Sequence, residues 1–251
     1  MIRITGRRIC EIIAAKLISI LRPDIAGKLG ALDIRFMNIS FSQFGEDFIV
    51  YTFLKDMERE KGIYIDVGAH HPFEYSNTCL LYHKGWRGIN IDLFEEKINR
   101  FHTYRPDDIN VVAAISNKQE IVNRLHYSVS VMNRIAPLSD TNEQSLWGES
   151  PLEKKEMETT TLTHILDGIY TKPPKIDFLT IDCEGQDFEV LQGLDLTIYK
   201  PEIIAVETTY DNCAQAAFSS YLEHYGYQLY GMTKLTSIYG RRAPSVDHAG
   251  N

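Results

Sequence analysis

Acidic side chains stand at the ends of several short apolar runs in this chain. Ile63-Tyr64-Ile65-Asp66-Val67 enters Gly68, Gly88-Ile89-Asn90-Ile91 ends on Asp92, Ile176 to Ile181 is followed by Asp182-Cys183-Glu184-Gly185, and Glu202 to Val206 by Glu207. Carboxylates are poor strand formers and costly to bury unpaired, so their recurrence here points to a ligand or ion that uses them. Asp92 lies 24 residues beyond Gly68, where a carboxylate closing a second strand can accept hydrogen bonds from both hydroxyls of a ribose. The turn after Val67 has a lone glycine followed by Ala69, His70, His71 and Pro72. It lacks the G-x-G-x-x-G pattern that lets a pyrophosphate approach the backbone of a nicotinamide enzyme. A nucleoside ligand without a pyrophosphate suits the turn; an NAD-type oxidoreductase is the alternative.

These acids are strand ends only if the runs between them fold accordingly. Ser42 with Glu46 and Asp47 precedes Phe48, Ile49, Tyr51, Phe53 and Leu54, which reads as a capped helix start and a buried face. A helix is predicted from about Ser76 to Lys84, and further strands at Ile109 to Ala113, Ile176 to Ile181 and Glu202 to Val206. Strands alternating with helices predict an α/β fold built on a doubly wound, mostly parallel sheet, with ligands bound outside the carboxyl ends of its strands. Tyr227 to Tyr230 and Ser237 to Tyr239 read as an antiparallel C-terminal hairpin closing one edge. Residues 121–160 break the alternation: a strand pair within Leu125 to Val131, then a polar stretch around Trp147, read as a lid-like insertion. Trp147 suits either stacking on a sugar face or anchoring that lid, and Trp86 reads as a core aromatic. The domain expected over 41–241 is preceded by an amphipathic basic helix and linker over 1–40 and followed by a loose tail at 242–251.

Composition narrows the function. With 251 residues, 44% of them apolar and 24% charged, the chain can bury a full α/β core. Its formal charge of -8 disfavours nucleic acid as a partner. Four scattered cysteines, Cys10, Cys79, Cys183 and Cys213, form neither a zinc motif nor a disulfide framework, which fits a cytoplasmic protein. No apolar run is long enough to span a bilayer, and no signal peptide is read. The basic amphipathic segment within residues 1–22 suits packing on the core, self-association, or peripheral contact with an anionic inner membrane face.

Five ordered motifs carry a family resemblance: Ser42-Gln43-Phe44-Gly45-Glu46-Asp47, Ile65-Asp66-Val67-Gly68-Ala69-His70-His71-Pro72, Ser76-Asn77-Thr78, Gly85-Trp86-Arg87-Gly88-Ile89-Asn90-Ile91-Asp92 and Asp182-Cys183-Glu184-Gly185. Over roughly Phe41 to Asp211 the chain closely resembles the FkbM-type S-adenosylmethionine-dependent methyltransferases. The resemblance implies a seven-stranded, Rossmann-like class I methyltransferase sheet. It also implies O-methylation of a sugar or polyketide hydroxyl, here a nucleotide-linked or lipid-linked sugar of surface-polysaccharide biosynthesis. Asp66 and Gly68 would line the methionine part of the cofactor, Asp92 the ribose, and the Ala114-Ile115-Ser116 turn the adenine. Gln43, Glu46, Ala69, Asn77 and Asp182 in the matched segments complete the expected cofactor contacts. The family usually carries Glu after the second strand, where this chain has Asp92 followed by Leu93, so a shorter reach to the ribose is implied.

Methyl transfer to a hydroxyl needs the acceptor oxygen placed behind the methyl carbon and a group to take the hydroxyl proton. Asp182, Glu184 and Glu207 are the candidate bases, with His71 and its neighbour His70 behind them. Glu184 reads equally as a turn carboxylate beside Gly185, and Glu207 as a loop acid. Asp182 with Glu207 could also hold one Mg²⁺ or Mn²⁺ through oxygen ligands. A catalytically silent scaffold that binds a partner or membrane through its N-terminal helix is the competing class.

Overall fold

The computed structural model describes residues 38–129, 132–140, 148–208 and 212–241. The chain divides into two compact units, Met1–Ile39 and Ser40–Asn251, and every element below belongs to the second. The basic N-terminal segment, Trp147 and the expected tail lie outside the described residues. Among the described residues, no helix is long and apolar enough to cross a membrane.

In chain order the elements are α1 (Glu46–Asp56), β1 (Ile63–Val67), α2 (Cys79–His83), β2 (Arg87–Asp92), α3 (Glu95–Tyr104), β3 (Ile109–Val112), β4 (Ala114–Ile115), β5 (Ile121–His126), β6 (Arg134–Pro137), β7 (Glu153–Thr160), α4 (Leu162–Ile169), β8 (Phe178–Ile181), α5 (Asp187–Gln192), β9 (Ile203–Glu207), α6 (Asn212–His224), β10 (Tyr227–Met232) and β11 (Thr236–Arg241). Seven strands form the main sheet in the order β10-β11-β9-β8-β1-β2-β3. It is parallel from β3 through β9, while β11 runs antiparallel to both β9 and β10. This is the expected doubly wound sheet with its antiparallel C-terminal hairpin, and the strand order is that of a class I methyltransferase.

Both faces of the central strands are covered, which is why their sequences are almost continuously apolar. Ile65, Val67, Ile204 and Val206 pack with Leu162, Leu166 and Leu222 on one face. Tyr64, Ile203 and Ala205 alternate with them and pack with Val50, Leu54, Leu81 and Trp86 on the other. Trp86 is a core residue, as expected, and its indole N–H is satisfied by the Glu60 carbonyl at 3.0 Å.

Three local expectations are corrected. The N-cap of α1 is Gly45 in the left-handed region (φ 91°), not Ser42. Ser42 acts from further back: its Oγ accepts from Asp47 N at 3.3 Å and donates to Asp47 Oδ1 at 2.9 Å. The second helix begins at Cys79 rather than near Ser76, because Ser76 Oγ accepts from the Cys79 amide at 3.1 Å and so serves ahead of the first turn.

The third concerns residues 121–160, where β5, β6 and β7 join β4 in a four-stranded sheet of order β4-β7-β5-β6. It has apolar clusters of its own, one of Leu125, Tyr127, Met132 and Ala136, another of Ala114, Val122 and Ile135. The strand pair expected within Leu125 to Val131 is thus displaced: β5 ends at His126, and its partners are β6 and β7. Strand β7 begins at Glu153 within this polar stretch, with most of its charges facing outward and Arg124 of β5 pairing with Glu153 at 2.9 Å.

Candidate active site

Strand register assembles the site. Val67 pairs with Ile91 and with Ile181, and Ile181 pairs with Val206, so the residues that follow these partners emerge side by side at the carboxyl edge. Gly68 falls beside Asp92, and Asp182 beside Glu207. Asp66, Asp92, Asp182, Glu184 and Glu207 all line one cavity of about 1050 Å³. Gly68 is required by closeness as well as by its φ of +81°: a Cβ there would come within 1.7 Å of the Asp182 carbonyl oxygen.

On the β1–β2 side the carboxylates have protein donors. Asp66 Oδ2 accepts from the Thr78 hydroxyl at 2.6 Å. Burial pushes the Asp66 carboxyl up to about 6, opposed by the Thr78 hydrogen bond and the Arg105 charge. Asp92 accepts from the backbone N–H of His70 and of Phe94, both at 3.0 Å, with Lys97 Nζ at 3.6 Å. Burial raises its proton affinity against those same contacts. The cavity wall opposite is the stretch Glu74 to Asn77, with Asn77 anchored to Thr180 Oγ1 at 3.1 Å.

On the β8–β9 side the carboxyls meet each other. The carboxyls of Asp182 and Glu207 face each other as a coupled pair; burial raises both, and the Asp182 charge raises Glu207 further. Asp182 is open to the cavity but deep within the fold, which accounts for its desolvation despite an exposed surface. Glu184, in the left-handed region at φ 52°, is pushed up to about 8 by burial and by the Asp182 and Asp187 charges. Asp187 caps the turn, accepting from Cys183 N at 2.7 Å and Gly185 N at 3.1 Å, and burial still lifts it to about 7. Oxygens of Asp182, Asp187 and Glu207 lie within 4.8 Å of one another. Each Asp187 oxygen also accepts from one backbone N–H, so a cation here would be held chiefly by Asp182 and Glu207.

Of the remaining expected residues, Gln43, Ala69 and Asn77 line the cavity, whereas Glu46, Ser116 and His71 do not. Glu46 joins the start of α1 to the hairpin loop, accepting from Phe44 N at 2.9 Å and from the Thr233 hydroxyl at 2.5 Å. The stretch read as an adenine turn is strand β4, which presents Ala114 and Ile115 to the cavity while Ser116 N donates to the Thr160 carbonyl. His71 Nδ1 accepts from Phe73 N and Glu74 N at 3.2 and 3.0 Å. It builds its own turn, and an imidazole so engaged is poorly placed as a base. His70 does line the cavity; its Nδ1 is buried without a hydrogen-bond partner, and burial lowers the ring to about 4, so it is neutral.

Several wall residues escape the sequence reading: Lys97 from α3, Arg134 from β6 with Asn133 just before it, and Lys234 and Leu235 from the hairpin loop. The hairpin residues carry no motif. They arrive because β11 pairs Thr236 with Glu207.

The family model described as the methyltransferase FkbM domain matches residues 66–229, well over half of the chain. Among solved structures, a protein described as an RNA methyltransferase from Pyrococcus horikoshii is similar at 9% identity over 82% of this chain and 92% of that one, with a TM-score of 0.37. The small RNA methyltransferase HEN1 is similar at 11% identity over 84% of this chain and 28% of that one, with a TM-score of 0.36. Likeness at that level says nothing of acceptor or mechanism. No curated protein matches the chain. The family match begins at Asp66 and runs through every strand end that lines the cavity, and by it the chain belongs to the FkbM family of S-adenosylmethionine-dependent methyltransferases.

Proposed function

We propose that the enzyme methylates a hydroxyl oxygen of a sugar carried on a nucleotide or a lipid, with Asp182, paired to Glu207, taking the hydroxyl proton. The Asp182–Glu207 carboxyl pair carries this reading: it stands in the cavity wall and accepts from no backbone N–H among the described residues.

The cavity fits the cofactor of the family. Its volume of about 1050 Å³ lies at the top of the ~300–1,000 Å³ typical of single-ligand pockets, which leaves room for an acceptor as well. Among the described residues one Asp66 oxygen has no protein donor and His70 Nδ1 no partner, so the first can receive a ligand donor and the second a ligand hydroxyl or amine, and the carboxylates favour a cationic guest. Asp66 with the Gly68–Ala69 backbone would hold the methionine part, Asp92 the ribose and Ala114–Ile115 the base. When bound, S-adenosylmethionine supplies a methyl group on a positively charged sulfur.

The ionised member of the pair accepts a hydrogen bond from the acceptor hydroxyl and orients its oxygen toward the methyl carbon. As that oxygen would bond the methyl carbon and the carbon–sulfur bond would break, its proton would pass to Asp182, and the carboxylate charge would be neutralised together with the positive charge on sulfur. Glu207, coupled to Asp182, would stabilise the developing acid. Glu184 holds its proton near neutrality and is suited to donate to a second oxygen of the acceptor. His71 has no role here, and no step passes through a metal.

Incubating the protein with S-adenosylmethionine and a panel of sugar nucleotides, with mass detection of products, tests the reading. One added methyl on a sugar oxygen is expected; transfer only to nitrogen or carbon acceptors would overturn it. Turnover that vanishes after chelator dialysis and returns with Mg²⁺ or Mn²⁺ would recast Asp182 and Glu207 as metal ligands.

A further inference from the structure

Arg105 is fully buried, though it stands in a polar stretch, Tyr104-Arg105-Pro106-Asp107-Asp108, that reads as surface. It follows the last turn of α3, and its guanidinium lies 5.2 Å from the ring centre of Phe101 and 5.5 Å from that of Tyr82. Among the described residues no carboxylate forms an ion pair with it. A buried cation so placed is costly unless its hydrogen bonds are well made.

Those bonds converge on one strip of chain. Arg105 donates to the Pro72 carbonyl, to Ser76 Oγ at 2.8 Å and to Thr78 Oγ1 at 2.8 Å. Thr78 has a single hydroxyl proton; with Arg105 donating to its oxygen, that proton is directed to Asp66 Oδ2 at 2.6 Å. The strip between these contacts includes the wall from Glu74 to Asn77. The chain just before the strip is tied as well, by the bond from His70 N to Asp92.

We propose that Arg105 is a positioning residue for cofactor binding: it clamps the wall from Pro72 to Thr78 onto the end of α3 and, through the Thr78 hydroxyl, sets the orientation in which the Asp66 carboxylate receives its ligand. The role rests on the placement of S-adenosylmethionine against Asp66 given above. Its effect falls on cofactor affinity, since Arg105 reaches neither Asp182 nor Glu207.

The test measures S-adenosylhomocysteine binding by calorimetry, and steady-state turnover, for Arg105→Met, Arg105→Lys, Thr78→Val and Asp66→Asn, with folding checked by near-ultraviolet circular dichroism. Arg105→Met and Thr78→Val should each weaken binding by about tenfold and raise the KM for S-adenosylmethionine to match, with kcat within about threefold of wild type. Arg105→Lys should recover part of the loss. Adding Thr78→Val to Asp66→Asn should weaken binding no further, because both act through the same carboxylate, whereas adding Arg105→Met should still weaken it through the loosened wall. Unchanged affinity in folded Thr78→Val, or a Thr78→Val loss that simply adds to that of Asp66→Asn, would overturn the role. Thr78→Val decides the matter if Arg105→Met fails to fold, since it removes the relay hydroxyl and no charge. Wild-type protein that binds no S-adenosylhomocysteine would instead overturn the cofactor placement, and this role with it.

Discussion

The two halves of the cavity place the same residue type at equivalent strand ends and put it to different uses. On the β1–β2 half, donors meet the carboxylates: a threonine hydroxyl for Asp66, two backbone N–H groups and a lysine for Asp92. On the β8–β9 half, register sets Asp182 beside Glu207, and the two carboxyls act on each other. Burial raises proton affinity on both sides; on the first the donors oppose it, on the second neighbouring charges add to it. The donor-rich half is thus preorganised to hold a ligand, while the donor-poor half is suited to exchange a proton.

The largest effect that could break this contrast is at Asp182. Asp182→Asn should lower turnover by about 10²- to 10⁴-fold, with S-adenosylhomocysteine affinity nearly unchanged in calorimetry. A loss of affinity as deep as the loss of turnover would show that both halves bind. Next in size is Asp92→Ala, which unties His70 and Phe94 together; about a tenfold rise in the S-adenosylhomocysteine dissociation constant is expected, and wild-type affinity would remove Asp92 from the cofactor site.

Stability against pH sharpens the contrast further. Carboxyls whose folded values exceed the unfolded value of about 4 bind more protons in the folded state, so their contribution is most favourable below that value. It is lost as pH climbs through the folded values, about 7 for Asp187 and about 8 for Glu184, with the Asp182–Glu207 pair raised in the same direction. Thermal melts of the ligand-free protein should therefore fall from pH 5 to pH 9. Glu207→Gln, which removes one ionisation from the cluster, should raise the midpoint at pH 8 by about 2–4 °C. A flat profile, or a variant that melts lower at pH 8, would mean that the cluster carries less repulsion than its geometry implies. Smallest is His71→Ala, where kcat should stay within about threefold of wild type; a deeper loss would return His71 to the proton-transfer machinery.

Much of the site was legible because parallel strands are both apolar and ordered. Ile63 to Val67, Arg87 to Asp92 and Ile203 to Glu207 announce themselves by runs that must be covered on both faces, and a doubly wound sheet delivers their carboxyl ends to one edge. What could not be read was the partner of each polar group. His70 and His71 are neighbours of one type, yet one lines the cavity and the other props its own turn. Strand β7, Glu-Lys-Lys-Glu-Met-Glu-Thr-Thr, has no apolar alternation to betray it, because it is set by backbone pairing with β4 and β5 while most of its side chains face solvent. Arg105 gives no local signal at all; only the approach of the Pro72–Thr78 strip to the end of α3 turns a polar residue inward.

The order of apolar runs, their spacing and the acids that close them determined the sheet and the edge at which the chemistry lies, since these depend on periodicity and strand propensity along the chain. Which carboxylate binds, which is coupled to a neighbour and which only caps a turn was decided by tertiary structure. A carboxyl's chemistry is set by the donors and charges within a few ångströms, and most of these come from residues distant in the sequence.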